Sequence, residues 1–118
     1  MQRLTTLEQR AELMTLPDWP VIVYKHNSNQ CPISARILPQ IESFADEFKH
    51  LIVAVDIIEH REVSNILTEQ AKIIHESPQC IIFDEEWRCI NACSHGRIKP
   101  EWISSVFDSL DQHEQWIV

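Results

Sequence analysis

Val21-Ile22-Val23-Tyr24-Lys25-His26-Asn27-Ser28-Asn29-Gln30-Cys31-Pro32-Ile33-Ser34 is the stretch whose reading decides the fold. It opens with a short apolar run, Val21 to Tyr24, rich in β-branched residues and bounded by turn formers. That pattern predicts a buried strand. Lys25 to Gln30 is polar and reads as a loop. Pro32 then suits the first position of a helix, where its missing N–H would have had no partner in any case. Ile37, Ile41, Phe44 and Phe48 recur at helical spacing and give that helix an apolar stripe. Pro39 inside it predicts a kink.

Working outward, Leu51 to Val55 predicts a second all-apolar strand, extending toward Ile58. The next helix carries Val63, Ile66, Leu67 and Ala71 on one face. Ser77-Pro78 breaks the chain, and Cys80 to Phe83 forms a third strand. Asp84-Glu85-Glu86 is a hairpin turn leading to a fourth strand from about Trp87 to Cys93. A last helix starts at Pro100 and buries Trp102, Ile103, Val106, Phe107 and Leu110. At the other end, Leu4, Leu7, Ala11 and Met14 mark a leading helix, closed by Pro17 and Pro20, with Asp18-Trp19 as a turn. The order is α-β-α-β-α-β-β-α. Strands separated by helices pair in parallel through right-handed crossovers, and the last two strands are antiparallel. The expected architecture is α/β: a thioredoxin-like order with a mixed four-stranded sheet, helices on both faces and an extra N-terminal helix, in one domain over residues 1–118.

Composition narrows the function. Ten Lys+Arg against 18 Asp+Glu give a net charge of −8, which argues against a nucleic-acid partner. No apolar run approaches a bilayer span, and no secretory leader pattern is visible. A cytoplasmic protein is expected. The single glycine, Gly96, excludes phosphate-cradling loops, which need several. The cysteines are Cys31, Cys80, Cys89 and Cys93, expected to be thiols in a reducing compartment. Cys89, Cys93 and His95 alone combine metal-ligand types, without the paired knuckles of a zinc site. No metal is expected, and Cys80 and Cys89 read as small buried hydrophobes.

The chemistry concentrates at Cys31. A helix N-terminus offers unpaired N–H groups and about half a unit of positive charge, and both favour thiolate over thiol. Cys31 is therefore the candidate nucleophile. The bland alternative is a buried helix cap, against which the polar flank Asn27 to Gln30 suggests exposure. Ser34 can reach back to the sulfur, and it stands where a C-x-x-C site has its second cysteine. No internal disulfide closes with Cys31 across that slot, so the expected product is a mixed disulfide resolved by an external thiol. Pro78, following Ser77 and preceding a strand, is the second element. A cis Ser77-Pro78 bond would leave the Ser77 backbone free to pair with a bound chain; a trans helix stop is the plainer alternative.

Lys25-His26, Cys31-Pro32-Ile33-Ser34, Arg61-Glu62-Val63-Ser64-Asn65, His75-Glu76-Ser77-Pro78-Gln79 and Ser94-His95 occur in this order. In these segments the chain resembles the bacillithiol-system redox-active protein family (YtxJ-like), over residues 20–98. The resemblance implies a monothiol, thioredoxin-like cytoplasmic protein that exchanges disulfides with bacillithiol, a low-molecular-weight thiol. Cys31 takes the nucleophile position and Pro78 the cis-proline position. The chain departs from the family pattern in a longer 26–31 loop, an acidic 84–86 turn, Gly96 where a large aromatic is common, and three additional cysteines.

Lys25, His26 and Arg61 are candidates to stabilise a thiolate or to bind a carboxylate of the thiol; for Lys25 and Arg61 the alternative is solvated surface charge. Pro32, His75 and Ser77 complete the expected rim, with a helix-end cap as the other reading of His75. Ser64-Asn65 and His95 read as structural. Cys93, on an expected edge strand, reads as an ordinary thiol beyond bridging range of Cys31, and Trp19 and Trp102 as packing residues. The expected function is a monothiol thiol–disulfide oxidoreductase with no bound cofactor. It uses bacillithiol or glutathione as co-substrate and S-thiolated proteins as clients, as a monomer or weak dimer. A thioredoxin-fold binding module without redox turnover is the rival.

Overall fold

Apolar β-branched runs form the middle of one sheet because burial on both faces removes the need for polar alternation. The computed structural model describes residues 1–13, 15, 19–48 and 50–117, with side chains described as far as residue 110. Its elements are β1 (Gln2–Arg3), α1 (Leu7–Leu13), β2 (Val21–His26), α2 (Pro32–Glu47), β3 (Ile52–Asp56), α3 (Arg61–Ala71), β4 (Gln79–Phe83), β5 (Cys89–Ser94), a 3-10 turn (His95–Arg97) and α4 (Pro100–Ile117).

The sheet has five strands in the order β1-β3-β2-β4-β5, not the four expected. β1 has two exposed polar residues and no hydrophobic signal. Backbone pairing recruits it, parallel to β3 with Gln2 opposite Val53, and the Leu4 N–H donates to the Ala54 carbonyl at 2.8 Å. β2 pairs parallel with β3 and antiparallel with β4, and β4 pairs antiparallel with β5. Lys25 and His26, read as loop, continue β2: Lys25 lies opposite both Val55 and Gln79, and His26 opposite Asp56.

Alternation along β2 splits the core in two. Val21 and Val23 face the side that Leu13, Val63, Leu67 and Trp87 cover. Ile22 and Tyr24 face Ile37, Ile41, Ile103 and Phe107 on the other. Each such side chain taken fully out of water contributes about 1.5–3 kcal/mol. Several helix expectations are corrected. Ala11 is exposed and Leu13 carries the buried face of α1, with Leu4 buried ahead of the helix. Ile66, Trp102 and Leu110 are half-buried. Residues on both sides of Pro39 are helical. Met14, Pro17 and Asp18 lie outside the described residues.

β5 starts at Cys89, not Trp87. Trp87 adopts a left-handed φ of 58° in the turn yet is 2% exposed. It packs edge-on against Trp19 and Phe83, with the Arg10 guanidinium 4.8 Å from its ring centre. Asp84 holds the turn by accepting the Glu86 and Arg88 N–H groups, both at 2.9 Å.

Candidate active site

Cys31 is the residue that caps the N-terminus of α2, with extended backbone (φ −111°, ψ 113°) and Pro32 immediately after it. The Asn27 carbonyl accepts N–H groups from Gln30 (3.1 Å) and Cys31 (2.7 Å), which closes the loop into a tight turn. The Cys31 carbonyl in turn accepts the Ala35 N–H at 3.0 Å and starts the helix. Cys31 is half-buried, while Pro32 and Ile33 are exposed. The sulfur makes no strict side-chain capping bond. It nevertheless faces the Ser34 N–H, then the Ser34 hydroxyl and the Ile33 N–H, and these hold its pKa below the ordinary cysteine value against a small opposing effect of burial.

Ser34 is fully buried. Its Oγ accepts the Asn27 N–H at 3.2 Å, so one hydroxyl ties the loop to the helix and faces the sulfur. The Ser34 carbonyl accepts the Tyr24 hydroxyl at 3.0 Å, and burial pushes the Tyr24 phenol up, so it stays neutral. Sequence reasoning missed Tyr24 and Asn27. Tyr24 was absorbed into an apolar strand, and Asn27 acts through backbone groups that every residue carries. His26 is buried and stacks on Tyr24 with ring centres 5.4 Å apart. Its Nδ1 lies 2.8 Å from the Ser28 Oγ. Burial lowers its pKa first, with carboxylates such as Asp56 opposing. It lines a hollow of about 280 Å³ with Arg3, Glu42 and Asp46, to which Cys31 does not contribute.

Lys25 corrects the expectation of a surface cation. Its position in β2 turns it into the core, where it is 0% exposed. Nζ reaches the Thr68 Oγ1 and the His75 Nδ1, the latter at 2.8 Å. Burial lowers its pKa to about 8. It has no exposed face for a carboxylate of a thiol. His75 is exposed apart from this contact, and burial and then Lys25 lower its pKa against Glu76. Thr68, also missed, donates to the Ser64 carbonyl at 3.0 Å and was hidden in a helical repeat.

The Lys25–Gln79 register places Pro78 level with the end of β2, where the chain turns toward Cys31. Ser77–Pro78 and Trp19–Pro20 are cis. The Ser77 Oγ is buried without a hydrogen-bond partner among the described residues. Pro78 is buried, and its carbonyl accepts the His95 N–H at 3.0 Å. Arg61 also stands apart from the expected site. It opens α3, exposed, beside a hollow lined by Thr5 to Glu8 and Glu59 to Val63, to which the Cys31 loop contributes nothing.

The other thiols differ from Cys31. Cys80 is buried and its pKa is pushed well up, by burial first and Cys93 second. Burial pushes Cys93 up to about 12 against the opposing pull of Arg97. Burial also raises half-buried Cys89. Cys89 packs toward the α1 and α3 side and Cys93 toward the α2 and α4 side, so they do not converge with His95 on one metal.

The family model described as monothiol bacilliredoxin BrxC matches residues 2–103. No curated protein matches the chain. Among solved structures, one described as a candidate oxidoreductase with a thioredoxin fold superposes with a TM-score of 0.78 at 24% identity, covering 89% of this chain and 91% of that one. A poplar thioredoxin h gives 0.74 at 16% identity over 93% and 96%. A Schistosoma mansoni thioredoxin gives 0.72 at 13% over 91% and 94%. These likenesses establish the thioredoxin fold.

Proposed function

The chain belongs to the monothiol bacilliredoxin family, with a thiol redox role, and from that premise we propose that Cys31 removes a low-molecular-weight thiol from S-thiolated proteins in the cytoplasm. The observation that carries the proposal is a half-exposed sulfur at a helix start, facing two backbone N–H groups and the Ser34 hydroxyl. The Cys31 thiolate attacks the small-thiol sulfur of a protein–S–S–R disulfide. A new S–S bond joins Cys31 to the R sulfur, the S–S bond of the substrate breaks, and the departing protein thiolate takes a proton from water. A second molecule of R–SH, as thiolate, then attacks the R sulfur of the adduct. R–S–S–R leaves and Cys31 is regenerated. Ser34 cannot form a disulfide, so resolution falls to the external thiol. Bacillithiol is the thiol the family points to, with glutathione as the alternative, and neither needs a resident cofactor. The Ser77–Pro78 segment, level with the end of β2, orients the client chain.

Intact-mass measurement after exposure to oxidised bacillithiol or oxidised glutathione tests this. One adduct is expected on the wild type and none on Cys31→Ser. A single adduct persisting on Cys31→Ser would move the nucleophile to another cysteine. A Cys31 that alkylates with the pH dependence of free cysteine would favour a binding module over an oxidoreductase.

A further inference from the structure

A hollow of about 590 Å³ opens beside the Ser77–Pro78 segment, lined by Glu76 and by the run from Ala92 to Arg97. The His95–Arg97 turn that forms much of it is tied to the Pro78 carbonyl through the His95 N–H. The same turn packs against α2, the helix that Cys31 opens. His95 holds a left-handed φ of 57°, a conformation that non-glycine residues adopt at a cost and keep when the surroundings fix it.

The hollow has a charge pattern of its own on a chain of net charge −8. Glu76 lines one side of it, its carboxylate 3.6 Å from the His95 Nδ1. Arg97 is exposed and has no ion-pair partner among the described residues. Gly96 between them leaves the wall open: a Cβ built there meets no heavy atom within 4 Å, and its φ is not in the left-handed region. The space is therefore not one the fold needs at that position.

We infer that this hollow receives the anionic arm of the small thiol, with Arg97 as the residue that selects for a carboxylate-bearing disulfide. The inference rests on the thiol-exchange reading of Cys31 and names the substrate class for it. Exchange itself is unchanged: the Cys31 thiolate attacks one sulfur of R–S–S–R, the Cys31–S bond forms, and R–S⁻ leaves and takes a proton from water. Arg97 acts on where R rests, through a charge-assisted contact to its carboxylate.

The test compares rates of Cys31 adduct formation, by intact mass on the full chain, with oxidised glutathione (anionic), hydroxyethyl disulfide (neutral) and cystamine (cationic). Arg97→Gln should lower the glutathione-to-hydroxyethyl rate ratio about three- to tenfold and raise the cystamine-to-hydroxyethyl ratio. Glu76→Gln should move both ratios the opposite way. Gly96→Trp, which fills open space without changing charge, should also lower the glutathione ratio. Ratios that stay at the wild-type value in Arg97→Gln, or a fall in all three rates by one common factor, would overturn the inference while leaving exchange at Cys31 standing. If the folded wild type forms no adduct with any of the three, although the unfolded chain does, the exchange reading falls and this inference falls with it.

Discussion

Cys31 stands at the mouth of α2 with backbone N–H groups turned toward its sulfur, while Cys80 sits within β4, opposite Tyr24 on one side and Cys93 on the other. The side chains are identical. In one place peptide dipoles favour the ionised sulfur; in the other, hydrocarbon walls oppose it and push the pKa well up. Backbone position, with the Ser34 hydroxyl beside it, separates a thiol held toward its ionised form from one held neutral. Nearby cations add nothing on the Cys31 side, since no lysine or arginine is among the groups that lower its pKa, while Cys93 adds to the effect of burial on Cys80.

The largest expected effect breaks this comparison directly. Iodoacetamide at pH 7 should label Cys31 on the folded chain and reach Cys80 only through unfolding, a rate difference on the order of 1,000-fold or more for a domain of ordinary stability. Peptide mapping of a time course reads it. Equal labelling of both cysteines would erase the distinction.

The second prediction extends the comparison to another buried titratable group. Burial holds Lys25 near a pKa of about 8, against an ordinary 10.5. Between those values the unfolded chain binds the proton and the folded one does not, so this group adds stability as pH rises from about 8 to 10.5. At about 1.4 kcal/mol per unit the gain is about 3 kcal/mol. Cys80, Cys93 and Tyr24 act in the opposite direction above about pH 9, because the folded state keeps their protons. The difference between wild type and Lys25→Met isolates the lysine. Urea midpoints measured from pH 7 to 10.5 should show the wild type gaining on the variant; parallel curves would mean that Lys25 is not desolvated.

The smallest effect sharpens the Cys31 side. Ser34→Ala removes the hydroxyl that faces the sulfur and accepts the Asn27 N–H. The alkylation midpoint of Cys31 should move up, which slows labelling at pH 6. Stability should fall by about 1 kcal/mol for the lost bond. An unmoved midpoint would assign the whole depression to the backbone N–H groups.

The central strands were legible because Val21–Tyr24, Leu51–Val55 and Cys80–Phe83 are apolar runs too short for helices. Cys31, Pro32 and Ser34 were legible because a Cys-Pro pair after such a run marks a helix start. The misses share a cause: polar side chains in paired backbone. Gln2 and Arg3 gave no strand signal, and Lys25 and His26 gave a loop signal, although all four join the sheet. Periodicity reports where side chains go, and a backbone ladder can recruit residues whose side chains argue otherwise. For the same reason Lys25 was placed at the surface. Its contacts with Thr68 and His75 bring together a strand, a helix and a loop far apart in sequence, which no local pattern encodes.

The two-residue β1 has a consequence out of proportion to its length. It lies along the outer side of β3, and Leu4 plugs the core beside it. Stripped of residues 1–4, β3 would show solvent an open row of amides and carbonyls beside an unsealed greasy gap. That is a template on which one molecule can extend another, edge upon edge, toward aggregation.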